Sequence, residues 1–283
     1  SIIKNKKPEQ EKYLEDYLAK SESIINDCIL EGIDIISLVS PEYPSLLKEI
    51  SNPPCVLYMM GNRKLISKCI AIIGTRNSSE LGNRIASRLG EYFSKDYSIC
   101  NGLVEGIDEN SIYSNGGVVN NVVGIISGGL CYKETCSKRH VKLIEDVLST
   151  GGLIISEYPP HQKEDKYSGS KASRIQAGLS HGLILVESSV DGGSKYTIES
   201  FSKLGRPLGV IQFSQSEDFN SNSFGANRLI ASKKIMGIAE MLNLKTSKKI
   251  NVDSITVIEG KKDYEIFCKR INDNDKIRKN TLF

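Results

Sequence analysis

Short apolar runs alternate with amphipathic stretches from residue 70 to residue 213. Runs such as Ile70–Ile73 and Leu183–Val186 are apolar on both faces, which is typical of parallel strands covered by helices. The predicted strands are Ile70–Ile73, Tyr97–Cys100, Asn121–Ile126, Leu153–Ser156, Gly182–Glu187 and Leu208–Phe213. The predicted helices are Glu80–Phe93, Asp108–Asn115, Lys138–Thr150, Lys171–Leu179 and Tyr196–Leu204. This alternation predicts an α/β fold with a doubly wound, mainly parallel sheet, of the extended Rossmann-like kind.

The segments before residue 70 and after residue 213 have weaker patterns of apolar and polar residues. Apolar residues near helical spacing predict a helix over Glu9–Cys28, and the prolines between residues 41 and 54 predict an irregular arm. We therefore divide the chain into a helical N-terminal segment with a proline-containing arm (1–66), a Rossmann-like domain (67–240) and a small C-terminal extension (241–283). In the extension we expect a strand at Asp253–Glu259, a helix at Asp263–Ile271 and a solvated end at 272–279.

The composition, 39% hydrophobic and 25% charged, is that of a soluble globular protein. No apolar run approaches the roughly 18 residues needed to cross a bilayer. We therefore expect a cytoplasmic protein without a membrane partner. The net charge of +3 is compatible with a nucleic-acid partner but does not by itself indicate one.

The seven cysteines are odd in number and irregularly spaced, which is typical of reduced thiols in a cytosolic protein. Their densest cluster, Cys131 and Cys136 with His140, matches no common zinc spacing and lacks a clear fourth ligand. We therefore expect no bound metal and no cofactor.

Four loops that follow predicted strands contain glycine and polar residues. They are residues 74–79, 101–108, 127–130 and 191–197. In a doubly wound sheet, ligands bind at the carboxyl ends of the strands, where all four loops are expected. Glycine lets the backbone approach a ligand closely, and the fourth loop adds hydroxyls and a lysine that suit a phosphate. Together the loops predict an anionic ligand.

The first of these loops carries Arg76 just before a predicted helix. Asn77, Ser78 or Ser79 can cap that helix, and the free N–H groups at its start favour an anion. The loop is not a Gly-x-Gly-x-x-Gly motif, and no acidic residue clearly closes the second strand. A classical NAD site is therefore not expected.

An ordered series of segments between residues 41 and 232 resembles the DNA-processing protein A (DprA/Smf) family. The segments are Tyr43–Leu47, Asn52–Pro54, Ile72–Arg76, Gly102–Asp108, Gly151–Pro160, Arg174–Ser180, Gly193–Thr197 and Gly225–Ile230. The resemblance implies a protein that binds single-stranded DNA and is not an enzyme. It further implies a homodimer that protects DNA and hands it to a RecA-type recombinase during DNA uptake in natural transformation, or during recombination.

In that family a basic pocket at the strand ends holds the DNA backbone, and phosphate contacts give affinity without sequence readout. The charged residues that match it are Arg76, Lys171, Arg174 and Lys195. We expect Arg76, Arg174 and Lys195 to form one electropositive pocket. The other DNA-binding candidates are Gly74, Thr75, Asn77, Gly102, Gly106, Asp108, Ser194, Thr197 and Asn227. Three tyrosines near the same edge can stack on bases, namely Tyr158, Tyr167 and Tyr196.

The chain departs from the family pattern at Gly169–Arg174, where the family has Phe-Pro-x-Arg-Asn-Arg. Lys171 there does not reproduce the planar donor fork of an arginine. An alternative is a nucleotide-sensing or nucleotide-hydrolysing protein of the related Lonely guy fold. Its Pro-Gly-Gly-x-Gly-Thr-x-x-Glu loop partly matches Asp191–Glu199, with Glu199 as the catalytic carboxylate. A third possibility is a pure interaction protein whose C-terminal lysines bind a partner.

Overall fold

The computed structural model describes residues 8–114, 116–213 and 220–281. Its strands are β1 (Asp34–Ser37), β2 (Val56–Gly61), β3 (Cys69–Gly74), β4 (Ser98–Asn101), β5 (Tyr113–Ser114), β6 (Gly117–Val118), β7 (Val122–Ile125), β8 (Leu153–Ser156), β9 (Ser180–Glu187), β10 (Arg206–Ile211) and β11 (Val252–Ile258). Its helices are α1 (Pro8–Glu31), α2 (Glu80–Phe93), α3 (Ile107–Ile112), α4 (Tyr132–Thr135), α5 (Lys138–Ser149), α6 (Ser168–Leu179), α7 (Ser194–Phe201), α8 (Gly225–Lys233), α9 (Ile235–Met241) and α10 (Lys261–Thr281).

Nine of these strands form one sheet in the order β1-β2-β8-β7-β4-β3-β9-β10-β11. The pairs from β8 to β11 are parallel, whereas β1 and β2 add an antiparallel edge. From β3 the chain builds outward through β4, β7 and β8, and then returns to place β9 on the other side of β3. This confirms the predicted Rossmann-like, mainly parallel sheet. The point where the order reverses, between β3 and β9, is where such folds bind ligands.

The central strand β3 is buried on both faces, as its sequence predicts. Ile70 and Ile72 pack into a core layer with α2 and α10, while Ala71 and Ile73 pack into the opposite layer with α7 and α8. Successive side chains of a strand point to opposite faces, so a strand that is covered on both sides is apolar at every position. No helix in the described ranges is long and apolar enough to span a bilayer.

Several helix boundaries differ from the sequence-based prediction, and two of the helices show the physical reason. The helix expected at Asp108–Asn115 begins at Ile107 and ends at Ile112, because Tyr113 and Ser114 leave it to pair with β6. Asn115 itself lies outside the described residues. The helix α6 begins at Ser168, three residues earlier than expected, and the Asp165 carboxylate accepts hydrogen bonds from the N–H groups at its start.

The segment 272–279, which we expected to be solvated, is exposed at most of its positions, but it belongs to the helix α10, which continues through it to Thr281. Within it, Asn274 is buried and donates a hydrogen bond to the Gly205 carbonyl (2.9 Å), and Arg278 pairs with Glu49 of the N-terminal arm. The expected strand of the extension is β11, which pairs in parallel with β10 at one edge of the sheet.

Candidate functional site

A pocket of about 610 Å³ opens at the switch point, over the carboxyl ends of β3 and β4. Its walls come from the loops after these strands, from the first turns of α6 and α7, and from the loop before α6. Eight of the predicted site residues line it, namely Gly74, Thr75, Arg76, Asn77, Gly102, Asp108, Ser194 and Thr197. The sequence therefore located the pocket, although not all of its walls.

The start of α2 is already occupied by a carboxylate of the protein. Ser79 caps the helix by accepting from the Gly82 N–H (3.0 Å), and its own N–H and hydroxyl each donate to the buried Glu187 carboxylate at 3.0 Å. A Cβ at position 82 would lie 1.9 Å from a Glu187 oxygen, so a larger residue there would displace this carboxylate. The expectation that this helix start receives an external anion is thus corrected, since Glu187 takes that position.

The loop after β3 therefore contributes its side chains, and the arginine in particular, to the pocket. The Thr75 N–H donates to the Glu187 carbonyl (2.8 Å), and the Thr75 carbonyl accepts from the N–H of Ile107 (3.2 Å). Gly106 does not line the pocket; it has a φ of +80°, and a Cβ there would lie 2.3 Å from the Thr75 carbonyl oxygen. These contacts fix the loop while Arg76 remains exposed at the pocket rim.

Asp108 is a buried carboxylate in the pocket wall. Its Oδ2 accepts a hydrogen bond from the Gly102 N–H at 2.8 Å. Burial raises the pKa of Asp108 to about 7, although this hydrogen bond, one from Val104 and the positive charge of Arg76 all oppose the rise. The charge of the pocket therefore changes close to neutral pH.

The first turn of α7 supplies hydroxyl groups on the opposite wall. Ser194 opens the helix after Gly193, which offers no side-chain cap. The Ser194 hydroxyl is buried and has no hydrogen-bond partner among the described residues. Thr197, one turn later, lines the same wall. A buried hydroxyl that faces a pocket without a partner is costly unless a ligand or water satisfies it.

The Arg174 side chain is held by hydrogen bonds within the protein. Its guanidinium donates to both oxygens of the Glu157 carboxylate at 2.7 and 2.6 Å, and to the Asn52 carbonyl at 2.9 Å. Arg174 and Lys171 line a neighbouring pocket beside the proline-containing arm. Lys195 lies outside the main pocket, with its Nζ 5.7 Å from the centre of the Tyr196 ring. The structure therefore does not bring Arg76, Arg174 and Lys195 into one pocket as expected.

Asn227 is also structural. Its amide nitrogen donates to the carbonyls of Leu185, Val186 and Ile211, and its amide oxygen accepts from the Ser188 N–H at 3.0 Å. The side chain is fully buried and ties the end of β9 to β10. It thereby holds the loop that leads to α7, but it does not line the pocket.

Other pocket residues come from the loop before α6. Lys166 was missed because its loop has neither a glycine signal nor a position directly after a strand. Beside it, the exposed Tyr167 ring lies 4.7 Å from the Lys166 Nζ, and the exposed Tyr196 lines both this pocket and the neighbouring one. Tyr158, in contrast, is buried. The rim thus combines two cationic side chains with two accessible aromatic rings.

Fold and pocket together define a Rossmann-like protein with a polar, basic-rimmed pocket at its topological switch point. The chain belongs to the DNA recombination-mediator protein A family, whose model matches residues 34–244. This confirms the membership that the sequence motifs indicated.

The DNA processing protein DprA of Bacillus subtilis (strain 168) is 32% identical over 184 residues, which cover 64% of this chain and 61% of that protein. Protein Smf of Escherichia coli (strain K12) is 29% identical over 177 residues, which cover 62% of this chain and 46% of that protein. The chain thus matches about three-fifths or less of the length of these relatives.

Two solved structures share the fold. DNA processing protein A from Streptococcus pneumoniae aligns with a TM-score of 0.60 at 26% identity, covering 71% of this chain and 69% of that one. DNA processing protein A from Helicobacter pylori aligns with a TM-score of 0.60 at 23% identity, covering 75% and 94%. The second structure describes a single-stranded DNA binding mode of the Helicobacter pylori protein.

Proposed function

We propose that this protein binds single-stranded DNA at the switch-point pocket and, as a cytoplasmic homodimer, passes it to a RecA-type recombinase during DNA uptake or recombination. The observation that carries the proposal is the pocket rim, where the cationic Arg76 and Lys166 lie with the exposed rings of Tyr167 and Tyr196. Cations for phosphates and rings for bases are the two elements of a single-strand site. The relatives from Bacillus subtilis and Streptococcus pneumoniae are named for DNA processing, which supports the same function.

Single strands are favoured because the bases must be accessible. An aromatic side chain stacks on a base only when the base is not already stacked within a duplex. The pocket volume of about 610 Å³ is in the range of sites for small ligands. We therefore expect it to admit one nucleotide of a strand, with the Ser194 hydroxyl donating to a phosphate oxygen and the rings of Tyr167 and Tyr196 beside the base.

The proposed function is binding without catalysis. Glu199, the carboxylate that a nucleotide hydrolase would use, forms an ion pair with Lys203 (3.0 Å) and faces the neighbouring pocket. Asp108, the carboxylate in the pocket, accepts a hydrogen bond from a backbone N–H. Recognition through phosphates and ring stacking gives binding without a chemical step and with little dependence on base sequence.

Fluorescence anisotropy of labelled single- and double-stranded oligonucleotides across a salt titration tests this function. We expect binding that weakens steeply with salt and prefers single strands, because phosphate neutralisation releases counterions. Equal affinity for the duplex, or no binding at low salt, would contradict the proposal. In the second case, direct binding of a fluorescently labelled mononucleotide would instead support the nucleotide-binding alternative.

The affinity for single-stranded DNA is expected to fall as the pH rises from 6 to 8. Burial raises the pKa of Asp108 to about 7, so this carboxyl is largely neutral at pH 6 and largely ionised at pH 8, where it repels phosphate. We expect a change of roughly tenfold, or about 1.4 kcal/mol. Asp108→Asn keeps an acceptor for the Gly102 N–H but cannot ionise, so its affinity should not depend on pH.

Anisotropy titrations at pH 6, 7 and 8 and at one ionic strength compare the DNA affinity of the unmodified protein with that of Asp108→Asn. Burial lowers the pKa of His140, and the positive charge of Arg76 also lowers it, so its titration shifts away from that of Asp108. A variant that loses affinity with pH as the unmodified protein does would rule out Asp108 as the group responsible.

A further inference from the structure

The strand β11 (Val252–Ile258) forms one edge of the nine-stranded sheet. It pairs with β10 on one side, and no strand of the described ranges lies on its other side. The family model ends at residue 244, so this edge belongs to a part of the chain that the model does not match. An edge strand presents a row of unpaired N–H and C=O groups, which can pair with another polypeptide.

The backbone groups of Ile255 and Val257 point away from the sheet. The Ile258 carbonyl accepts a hydrogen bond from the Gln212 N–H (3.0 Å), so the backbone of Ile258 faces β10. Successive residues of a strand direct their N–H and C=O groups to alternate sides, so Thr256 also faces β10, whereas Ile255 and Val257 face outward. The side chains of these two residues are only half-buried. The outer edge therefore offers backbone hydrogen-bonding groups beside apolar side chains.

We propose that β11 is the docking site of an acidic, extended segment of a partner protein, which adds to the sheet as a further strand. Exposed lysines lie at both ends of β11, with Lys248 and Lys249 before it and Lys261 and Lys262 after it. None of the four takes part in an ion pair within the described ranges. The seven residues of β11 extend over roughly 23 Å, so a segment of similar length reaches both pairs of lysines.

The charge of this part of the chain favours an acidic occupant. Residues 245–283 contain ten basic and six acidic residues, whereas the rest of the chain contains 27 basic and 28 acidic ones. Carboxylates of a bound segment are therefore attracted to the lysines at both ends of the strand. A second copy of β11 is disfavoured, because either orientation of such a pair would place lysines of the two copies side by side.

The edge of β11 differs from the proposed DNA site. Its lysines are interspersed with the exposed carboxylates of Asp253 and Glu259, which oppose contact with a phosphate backbone. The exposed tyrosines of the described ranges lie on α1 and at the switch-point pocket, so this edge lacks the rings on which bases stack. Alternating backbone donors and acceptors instead match those of an extended peptide.

Fluorescence anisotropy with a labelled peptide of about eight residues, in which valine alternates with glutamate, tests the docking site. We expect binding that weakens with salt, and no binding when lysine replaces glutamate in the peptide. The double variant Lys248→Glu/Lys249→Glu should weaken binding by roughly tenfold. Lys138→Glu/Lys142→Glu is the matched control, because both lysines are exposed on α5, which packs on β7 and β8. Equal affinities in the two double variants would overturn the proposal.

Amide hydrogen exchange measured by NMR locates the contact. In the unbound protein, the N–H groups of Thr256 and Ile258 should exchange slowly because they bond to β10, and those of Ile255 and Val257 should exchange faster. Saturation with the peptide should slow the exchange of Ile255 and Val257 specifically. Unchanged exchange of these two amides in the complex would exclude strand addition at this edge.

The result can be separated from that for the DNA site. Arg76→Ala should bind the peptide with the affinity of the unmodified protein, because Arg76 lies at the switch-point pocket. The double variant Lys248→Glu/Lys249→Glu should in turn keep its affinity for single-stranded DNA. Loss of DNA affinity in this variant, without any binding of the peptide to the unmodified protein, would assign the lysines to nucleic acid and overturn the proposal.

Discussion

Replacing Arg206 with methionine is expected to lower the free energy of unfolding by roughly 3–5 kcal/mol, the usual cost of removing one partner from a buried, hydrogen-bonded charge network. The Arg206 guanidinium is almost completely buried at the start of β10. It donates to the carbonyls of Gly178 and Ser180 at 2.8 Å each, to that of Leu46 at 3.0 Å, and to the Glu49 carboxylate at 3.0 Å. The variant leaves these buried acceptors without a donor.

The charged Arg206 guanidinium also connects segments that are distant in the sequence. Burial lowers the pKa of the guanidinium to about 10, so it remains charged at neutral pH. Because its acceptors come from the end of α6, the start of β9 and the N-terminal arm, one side chain joins three segments. Urea unfolding followed by circular dichroism measures the loss.

Arg63→Met is the matched control for Arg206. Arg63 also pairs with two carboxylates, of Asp34 (3.2 Å) and Glu42 (3.3 Å), but its side chain is half-exposed. Exposed ion pairs contribute about 0–1 kcal/mol. Similar losses in the two variants would mean that the buried acceptors of Arg206 find other donors or water.

Replacing Arg76 with glutamate is expected to weaken binding of single-stranded DNA about a hundredfold, and replacing it with alanine about tenfold, with little dependence on sequence. Arg76 is the exposed arginine on the pocket rim, held there by a loop that Glu187 and Ile107 fix from both sides. If it neutralises one phosphate, Arg76→Ala should reduce the slope of log affinity against log salt by about 0.7.

Arg84→Ala provides the control for charge alone. Arg84 lies on α2, is exposed and pairs only weakly with Glu80 (3.9 Å), and it is not part of the pocket. Both alanine variants remove one positive charge from the same region of the chain, so a specific site predicts that only the Arg76 change alters the salt slope. Equal slopes for Arg76→Ala and the unmodified protein would exclude Arg76 as a phosphate ligand.

The sequence predicted the sheet well where burial on both faces leaves a local signature. The apolar runs of β3 and β9 identified central strands without any knowledge of their neighbours. The last turns of α10 were missed because their burial depends on partners far along the chain. Asn274 is buried through Gly205, and Arg278 is held by Glu49, so the polar local sequence indicates solvent where the fold provides contacts.

The candidate site was likewise predicted only where its residues have a local signal in the sequence. Glycines and hydroxyls in the connections that follow strands, such as Gly102 and Ser194, mark the pocket because strand ends meet at one edge. The roles of Arg174 and Asn227 were not predictable, because both are decided by which groups of the fold bond to them. Glu187 ends a strand and is an ordinary acidic residue in the sequence, yet it fills the helix start at which we expected an anionic ligand.

The central position of β3 has a consequence for folding during translation. Its partner β9 begins 111 residues later, since Cys69 pairs with Ser180. At the usual synthesis rate of roughly 5–20 residues per second, one edge of β3 waits on the order of ten seconds for its partner to leave the ribosome. During that interval the strand Cys69–Gly74 presents an apolar, unpaired edge. The nascent chain is therefore most exposed to aggregation, and to chaperone capture, at the strand on which the finished sheet is centred.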